Sequence, residues 1–393
     1  MKNKTSAAFS EVPRTKRIYF DWAASAPCNV NPARNLFGNP SSLHFEGREA
    51  KQALDDARKR ASAVLNVPPG TLYFTSGGTE SNSIAIFSNL VKPQTHGTGK
   101  SRVISSLAEH ASVREAMETL AKTGKDTGNI PVDSAGRVTA DILSKTLEQY
   151  GDVRFAAIMA VNNETGVITE INSLAKIFRS QKAPVHFHCD LVQAAGKIPF
   201  NLSEWDIDSA SISAHKIGGP RGIGLLYMKK PLEVFYTGGG QENGIRGGTE
   251  NTLGAIALAD CLTETRNVKA QEQYMLAKAR WNKLINGLNA MERCTLIPGE
   301  RVIDDERFSP FILQAAFNDI PGEVMARALD DLGFAVSTGS ACSSSSPERP
   351  VLTAMGVNEK LRIEGIRISQ GFATADEDIE ALLEAIAEVL KFL

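Results

Sequence analysis

Between residues 71 and 228 the chain alternates short apolar runs with helix-length stretches, and this constrains the fold more than any other feature. Six runs, 71–75, 102–107, 154–161, 184–190, 209–214 and 222–228, are rich in Val, Ile, Phe and Ala and are bounded by Gly, Asn, Asp or Pro. Runs apolar on both faces and separated by helical segments predict an α/β fold, with a largely parallel sheet covered by helices on both sides. Ahead of them, residues 47–67 place Ala50, Ala53, Leu54, Ala57, Ala61, Val64 and Leu65 on one helical face, with Pro68 and Pro69 expected to stop the helix. The stretches 96–100 and 122–129 read as surface loops.

Past about residue 260 the pattern changes. A long charged helix over 269–288 precedes a strand-like run at 311–317 and a second helix over 322–332. The last helix is announced by a capping box, Thr374-Ala-Asp-Glu377, with Ile379, Leu382, Leu383, Ile386, Val389, Leu390 and Leu393 behind it. At 393 residues two domains are expected. They are a large domain over 21–260, with a mainly parallel seven-stranded type of sheet, and a smaller α+β domain over 261–393 joined by residues 1–20.

Lys and Arg total 43 against 45 Asp and Glu, so charge calls for neither nucleic acid nor an acidic membrane as partner. No apolar run approaches the roughly 20 residues that span a bilayer. Residues 1–17 carry Lys2, Lys4, Arg14, Lys16 and Arg17 with one acid, Glu11. Pro13 and the lack of an amphipathic repeat favour a frayed terminus over a transit peptide. Cys28, Cys189, Cys261, Cys294 and Cys342 are scattered without CxxC spacing, which suggests isolated thiols in a reducing, cytoplasmic setting.

Open α/β sheets bind ligands beyond the carboxyl ends of their strands, and several chemistry-bearing residues fall there. Lys216 follows the strand ending at Ala214, where a lysine can form a Schiff base with an aldehyde cofactor. Alone it reads more readily as an exposed loop lysine. Asp190 closes another strand, where a carboxylate can keep a pyridinium nitrogen protonated. Thr75-Ser-Gly-Gly-Thr-Glu80 leads into a helix expected near Ser81, making an anion cradle suited to phosphate. His110 also follows a strand and can stack on a flat ring. Each has a plainer alternative: a tight turn, a helix cap, or, for His186 and His188 with Cys189 or Asp190, a metal site.

The chain from Ile18 onward resembles the cysteine desulfurases, class V enzymes of fold type I that use pyridoxal 5'-phosphate. The resemblance rests on FGNPSSLHFEGREA (37–50), TSGGTESN (75–82), EHASVREA (109–116), VNNETG (161–166), HCDLVQAAGK (188–197), SISAHKIGGPRGIG (211–224), GGGQENGIRGGTEN (238–251), STGSACSSSS (337–346) and IRIS (366–369). It implies that Lys216 is the Schiff-base lysine and proton shuttle, that His110 stacks on the ring, and that Asp190 pairs with the ring nitrogen. Asn163 and Gln193 would contact the 3-oxygen side, Asn163 near the substrate too. Gly78, Thr79, Ser213 and His215 would bind phosphate, completed by Thr249 from the other subunit of a homodimer.

The same resemblance implies that Arg367 fixes the α-carboxylate of L-cysteine; by its setting alone it reads as a strand arginine facing solvent. Cys342 sits in a Gly- and Ser-rich stretch that predicts a mobile polar loop, where a thiol can reach substrate and swing away with its product. That loop resembles the long-loop branch, which hands sulfur to acceptor or scaffold proteins in iron-sulfur cluster or thiolation pathways. The segment between Asp21 and Phe37 is shorter than is usual in the family, and Trp22 replaces a polar residue. The rivals are a selenocysteine lyase or other class V enzyme, a non-catalytic scaffold subunit, and a Rossmann dehydrogenase; no GxGxxG follows the first strand, against the last of these.

Overall fold

In the computed structural model, which describes residues 17–28, 36–91, 95–96, 99–235, 238–266, 268–339 and 349–393, the alternation becomes a seven-stranded sheet. In spatial order its strands are Leu72–Thr75, Gly224–Met228, Ser209–Ser213, His186–Asp190, Val153–Met159, Arg102–Ser106 and Thr127–Ile130. Gly224–Met228 runs antiparallel to both neighbours, and the remaining four pairings are parallel. Six strands therefore point the same way, and Thr75, Ser106, Met159, Asp190 and Ser213 end along one edge. The central strands are buried almost throughout, as a sheet covered on both faces requires.

Several boundaries differ from the sequence reading. Residues 127–130, expected in a surface loop, form the edge strand Thr127–Ile130, in register with Val103–Ser106. Its sequence, TGNI, has one buried apolar residue, and only pairing to a neighbour makes it a strand. Residues 95–96 and 99–100, also expected as loop, pair as a small hairpin. The first helix is Phe45–Leu65; His44 caps its start, its ring accepting from Gly47 N, and Asn66 ends it in the left-handed conformation. Asn tolerates that conformation, so the helix stops before Pro68 is reached. The final helix, Asp376–Phe392, begins one residue later than the expected box. Asp378 accepts from Ala375 N, while Thr374 Oγ1 turns back to accept from Gly371 N.

Leu54, Ala57, Ala61 and Leu65 bury the first helix into the main core, where it packs on Thr252–Glu264. A second core gathers around an antiparallel sheet of Cys294–Ile297, Ile312–Phe317 and Gly365–Ser369. Val268–Asn289, Gly322–Asp331 and Asp376–Phe392 cover it through Trp281, Leu284, Met325, Leu329, Ile379 and Leu382. The short strand Ile18–Tyr19 pairs in parallel with Phe334–Ala335, and Phe20 enters this second core. The chain then crosses to the main sheet, where Ala26 N donates to His215 O. No helix among the described residues is long and apolar enough to cross a membrane.

Candidate active site

The strands that end along one edge, or the segments that follow them, deliver side chains to a single cavity of about 220 Å³. Gly78, Thr79, His110, Asn163, Asp190, Gln193, Ser213, His215 and Lys216 all line it, and Arg367 reaches it from the smaller sheet. Two predicted residues are elsewhere. Thr249 is exposed and does not line this cavity. Cys342 lies outside the described residues, as do residues 1–16 of the basic terminal stretch.

The helix that follows Thr75 starts at Gly78, three residues earlier than expected, so its N-terminal end meets the cavity directly. A Cβ at Gly78 would stand 2.6 Å from Val192 Cγ2, so glycine alone permits this approach of helix to strand end. Ser213 lies just beyond, its Cβ 3.7 Å from that same position. Glu80 folds back to accept from Ser76 N and pairs with Arg246 Nε at 3.1 Å, tying the 238–251 segment to the helix. That segment is pinned a second time by Glu242, which pairs with Arg58 through two 2.7 Å contacts and accepts from Phe74 N.

Asp190 is held on both oxygens. Oδ1 accepts from Val192 N and Oδ2 from Asn82 Nδ2, each at 2.8 Å. Asn82, unsuspected from the sequence, also donates to Ser112 Oγ at 2.9 Å, so its Oδ1 is left to accept from His188 Nε2. His188 Nδ1 bonds Ser209 Oγ at 2.8 Å. With both nitrogens engaged and its pKa driven by burial to about 3, His188 is a neutral orienting group and not a metal ligand. His186 stacks on Phe155 and bonds the same Ser209 hydroxyl. The place of His188 on a strand packed against helix 78–91 explains the Asn82 contact, which only tertiary packing creates.

His110 caps the helix Ala111–Lys122, its Nδ1 accepting from Ser112 N at 3.1 Å. Burial lowers its pKa; Asp190 pulls it up, while Lys216, Arg114 and Arg367 add to the lowering. A neutral, oriented imidazole facing the cavity is suited to stacking on a flat ring. His215 is likewise lowered, to about 4, by burial and then by Lys216 and other cations. Lys216 Nζ donates to Ala23 O at 2.6 Å and Ala24 O at 2.9 Å. Asn163 Oδ1 is buried with no hydrogen-bond partner, an acceptor left for something that enters the cavity.

Arg367 is only 2% exposed, which removes the solvent-facing reading. It donates to Asn163 O at 3.0 Å and to Asp21 Oδ1 at 2.8 Å, and its Nε is buried without a partner. Glu109, next to His110, is fully buried; it accepts from Ser106 Oγ and Met159 N on Oε1, and Oε2 has no partner. Burial pushes its pKa up to about 8 despite those hydrogen bonds, with the Asp190 charge adding to the rise. Cys189, Cys261 and Cys294 all have thiols pushed up by burial, the last two to about 12, so they are poor nucleophiles. Cys28 is exposed.

The profile of the aminotransferase class-V family matches residues 18–382. The cysteine desulfurase IscS of Dictyoglomus turgidum is 36% identical over 395 residues, covering 96% of this chain and 95% of its own. That of Shewanella pealeana is 36% identical over 386 residues, covering 94% and 92%. Among solved structures, a NifS-like protein superposes with a TM-score of 0.83 at 31% identity, over 96% of this chain and 100% of that one. SspA in complex with cysteine superposes with a TM-score of 0.74 at 28% identity, over 90% and 98%. The chain belongs to the aminotransferase class-V family. Within that family the relatives it matches along nearly their whole length are cysteine desulfurases.

Proposed function

We propose that this protein is a cysteine desulfurase that converts L-cysteine to L-alanine with pyridoxal 5'-phosphate and passes the sulfur to its own Cys342. One observation carries the reading: separate strand ends bring a lysine, a doubly held aspartate, a neutral histidine and a buried arginine to one cavity. The cavity fits that cofactor. Gly78 has no room for a Cβ at the helix N-terminus, where phosphate is favoured, and the unpartnered Asn163 Oδ1 is available at the other end of the donor set. Such a cofactor supplies an electron sink for the bond cleaved at the substrate's α-carbon.

The chain's own residues divide the remaining work. Gly78, Thr79, Ser213 and His215 would hold phosphate, completed by Thr249 from the other subunit of a homodimer. Asp190, fixed by Asn82 and Val192 N, would keep the ring nitrogen protonated, and His110 would stack on the ring. Lys216 would hold the cofactor through Nζ, and the same amine would take the substrate's α-proton. Arg367 binds the substrate carboxylate, Asp21 and Asn163 O keeping its guanidinium in plane. The Cys342 thiolate forms a bond to the substrate sulfur as the carbon–sulfur bond breaks; the bonding pair stays with carbon, which is protonated on the way to alanine.

Cys342 then holds a persulfide for delivery to an acceptor or scaffold protein, as in iron-sulfur cluster assembly, in a cytoplasmic setting. The two cores support a division into a large domain over 21–260 and a small one over 261–393 with 1–20. The test is spectroscopic and chemical together. The purified protein should be yellow and change its visible spectrum with L-cysteine. Lys216→Ala should bind the cofactor and not turn over, and Cys342→Ala should keep the spectral change while releasing almost no alanine. Undiminished alanine from either variant sinks the assignment.

A further inference from the structure

Lys197 takes no part in the reading above, yet its position calls for a reason. It is 7% exposed, at the end of the turn that follows Asp190. The charges acting on it are the like charges of Lys216 and Arg367, and with burial, the larger cause, they bring its pKa down to about 7. A buried amine facing two other cations is costly unless it has a task or an anion is to arrive among them.

Its contact names the task. Lys197 Nζ donates to Gln193 Oε1 at 2.7 Å. Gln193 Nε2 donates to Ala23 O at 2.9 Å, and that same carbonyl accepts from Lys216 Nζ at 2.6 Å. A backbone carbonyl only accepts, and Lys197 in its ammonium form only donates. The amide between them satisfies both neighbours one way round; flipped, it would set oxygen against oxygen at Ala23 and nitrogen against nitrogen at Lys197. Gln193 lines the cavity, and Lys197 stands behind it, away from the cavity's lining. Lys197 meets Lys216 again across a small void of about 50 Å³ beside Trp22 and Phe372.

We infer that Lys197 is a positioning residue: it locks the Gln193 amide so that the NH2 group, not the oxygen, is offered at the Ala23 side of the cavity, where it can donate to an anionic oxygen of the cofactor. The inference rests on the pyridoxal phosphate reading and adds to it a residue that touches neither cofactor nor substrate. It also gives the cluster of Lys197, Lys216 and Arg367 a physical sense, because a dianionic ligand offsets three crowded cations.

The test compares Lys197→Met, Lys197→Arg, Gln193→Ala and the double variant Lys197→Met/Gln193→Ala. The readouts are the dissociation constant for pyridoxal phosphate and the visible absorption maximum of the loaded protein. Loss of one buried, charge-assisted hydrogen bond should weaken cofactor binding about tenfold in Lys197→Met and shift the absorption maximum. Lys197→Arg, which keeps a donor, should recover most of both effects. In the Gln193→Ala background the methionine should add nothing, because the amide it would release is gone. Equal effects of Lys197→Met with and without Gln193, or no effect on either readout, would overturn the inference. If Lys197→Met does not fold, Lys197→Leu and its Gln193→Ala double are read the same way, and unfolding of both single variants also overturns it. Failure of the unaltered protein to bind the cofactor would defeat the underlying reading instead, and is seen before any variant is compared.

Discussion

Glu109→Gln tests whether the site holds a single negative charge, that of Asp190, where the proposed cofactor's ring nitrogen would lie. Glu109 is buried, its Oε2 has no partner, and burial with the Asp190 charge pushes its pKa from 4.5 to about 8. At neutral pH the folded protein therefore holds a proton on Glu109 that the unfolded chain releases. The sign follows from linkage. Below pH 4.5 both states are protonated and nothing is lost; as pH rises, the unfolded state ionises first, and stability falls until the folded group also ionises near pH 8. At about 1.4 kcal/mol per pH unit, the loss across that window is on the order of 5 kcal/mol at most.

Glutamine has the shape of the protonated acid and keeps Oε1 as acceptor for Ser106 Oγ and Met159 N. Its amide replaces the hydroxyl without a charge to gain. The difference in stability between Glu109→Gln and the unaltered protein should then change by several kcal/mol between pH 5 and pH 8.5, in favour of glutamine at the higher pH. Urea unfolding followed by circular dichroism at equal cofactor loading measures it. Other titrating groups are common to both proteins and cancel in the difference. Parallel stability profiles across pH 5–8.5 would refute the protonated Glu109.

Asn82→Ala removes the donor to Asp190 Oδ2 and leaves the buried His188 Nε2 with only its 3.3 Å contact to Ser211 Oγ, so stability should fall by about 1–3 kcal/mol and cofactor affinity about tenfold. Calorimetry and absorbance titration check both, and an unchanged affinity would show that Asp190 needs no such support. Thr249→Ala should weaken cofactor retention while leaving the melting temperature of the cofactor-free protein unchanged, since Thr249 is exposed. Full activity from a protein that is monomeric at micromolar concentration would refute a shared phosphate site.

Much of this site is legible in the chain. Apolar runs of strand length identify the sheet, and Lys216, Asp190, His110 and the pair Gly77 and Gly78 stand out because each ends or follows such a run. Arg367 is different: between β-branched neighbours it reads as a solvent-facing strand residue, and only its pairing with Asp21 and Asn163 O, far off in the chain, buries it. Resemblance to a family assigned it where local pattern did not.

Sequence alone determined the six long runs of the main sheet and the longer helices, because burial on both faces demands continuous apolar runs and helical faces demand their own period. It also determined which residue types carry chemistry at the ends of those runs. Tertiary structure decided that Thr127–Ile130 is a strand, that Asn82 and His188 brace Asp190, that Lys197 aims Gln193, and that Glu109 keeps its proton. These depend on partners drawn together from distant elements, and on how far each group is taken from water. A hydrogen bond across 108 residues, as between Asn82 and Asp190, leaves no periodic trace in the chain, and a pKa depends on the solvent that folding removes.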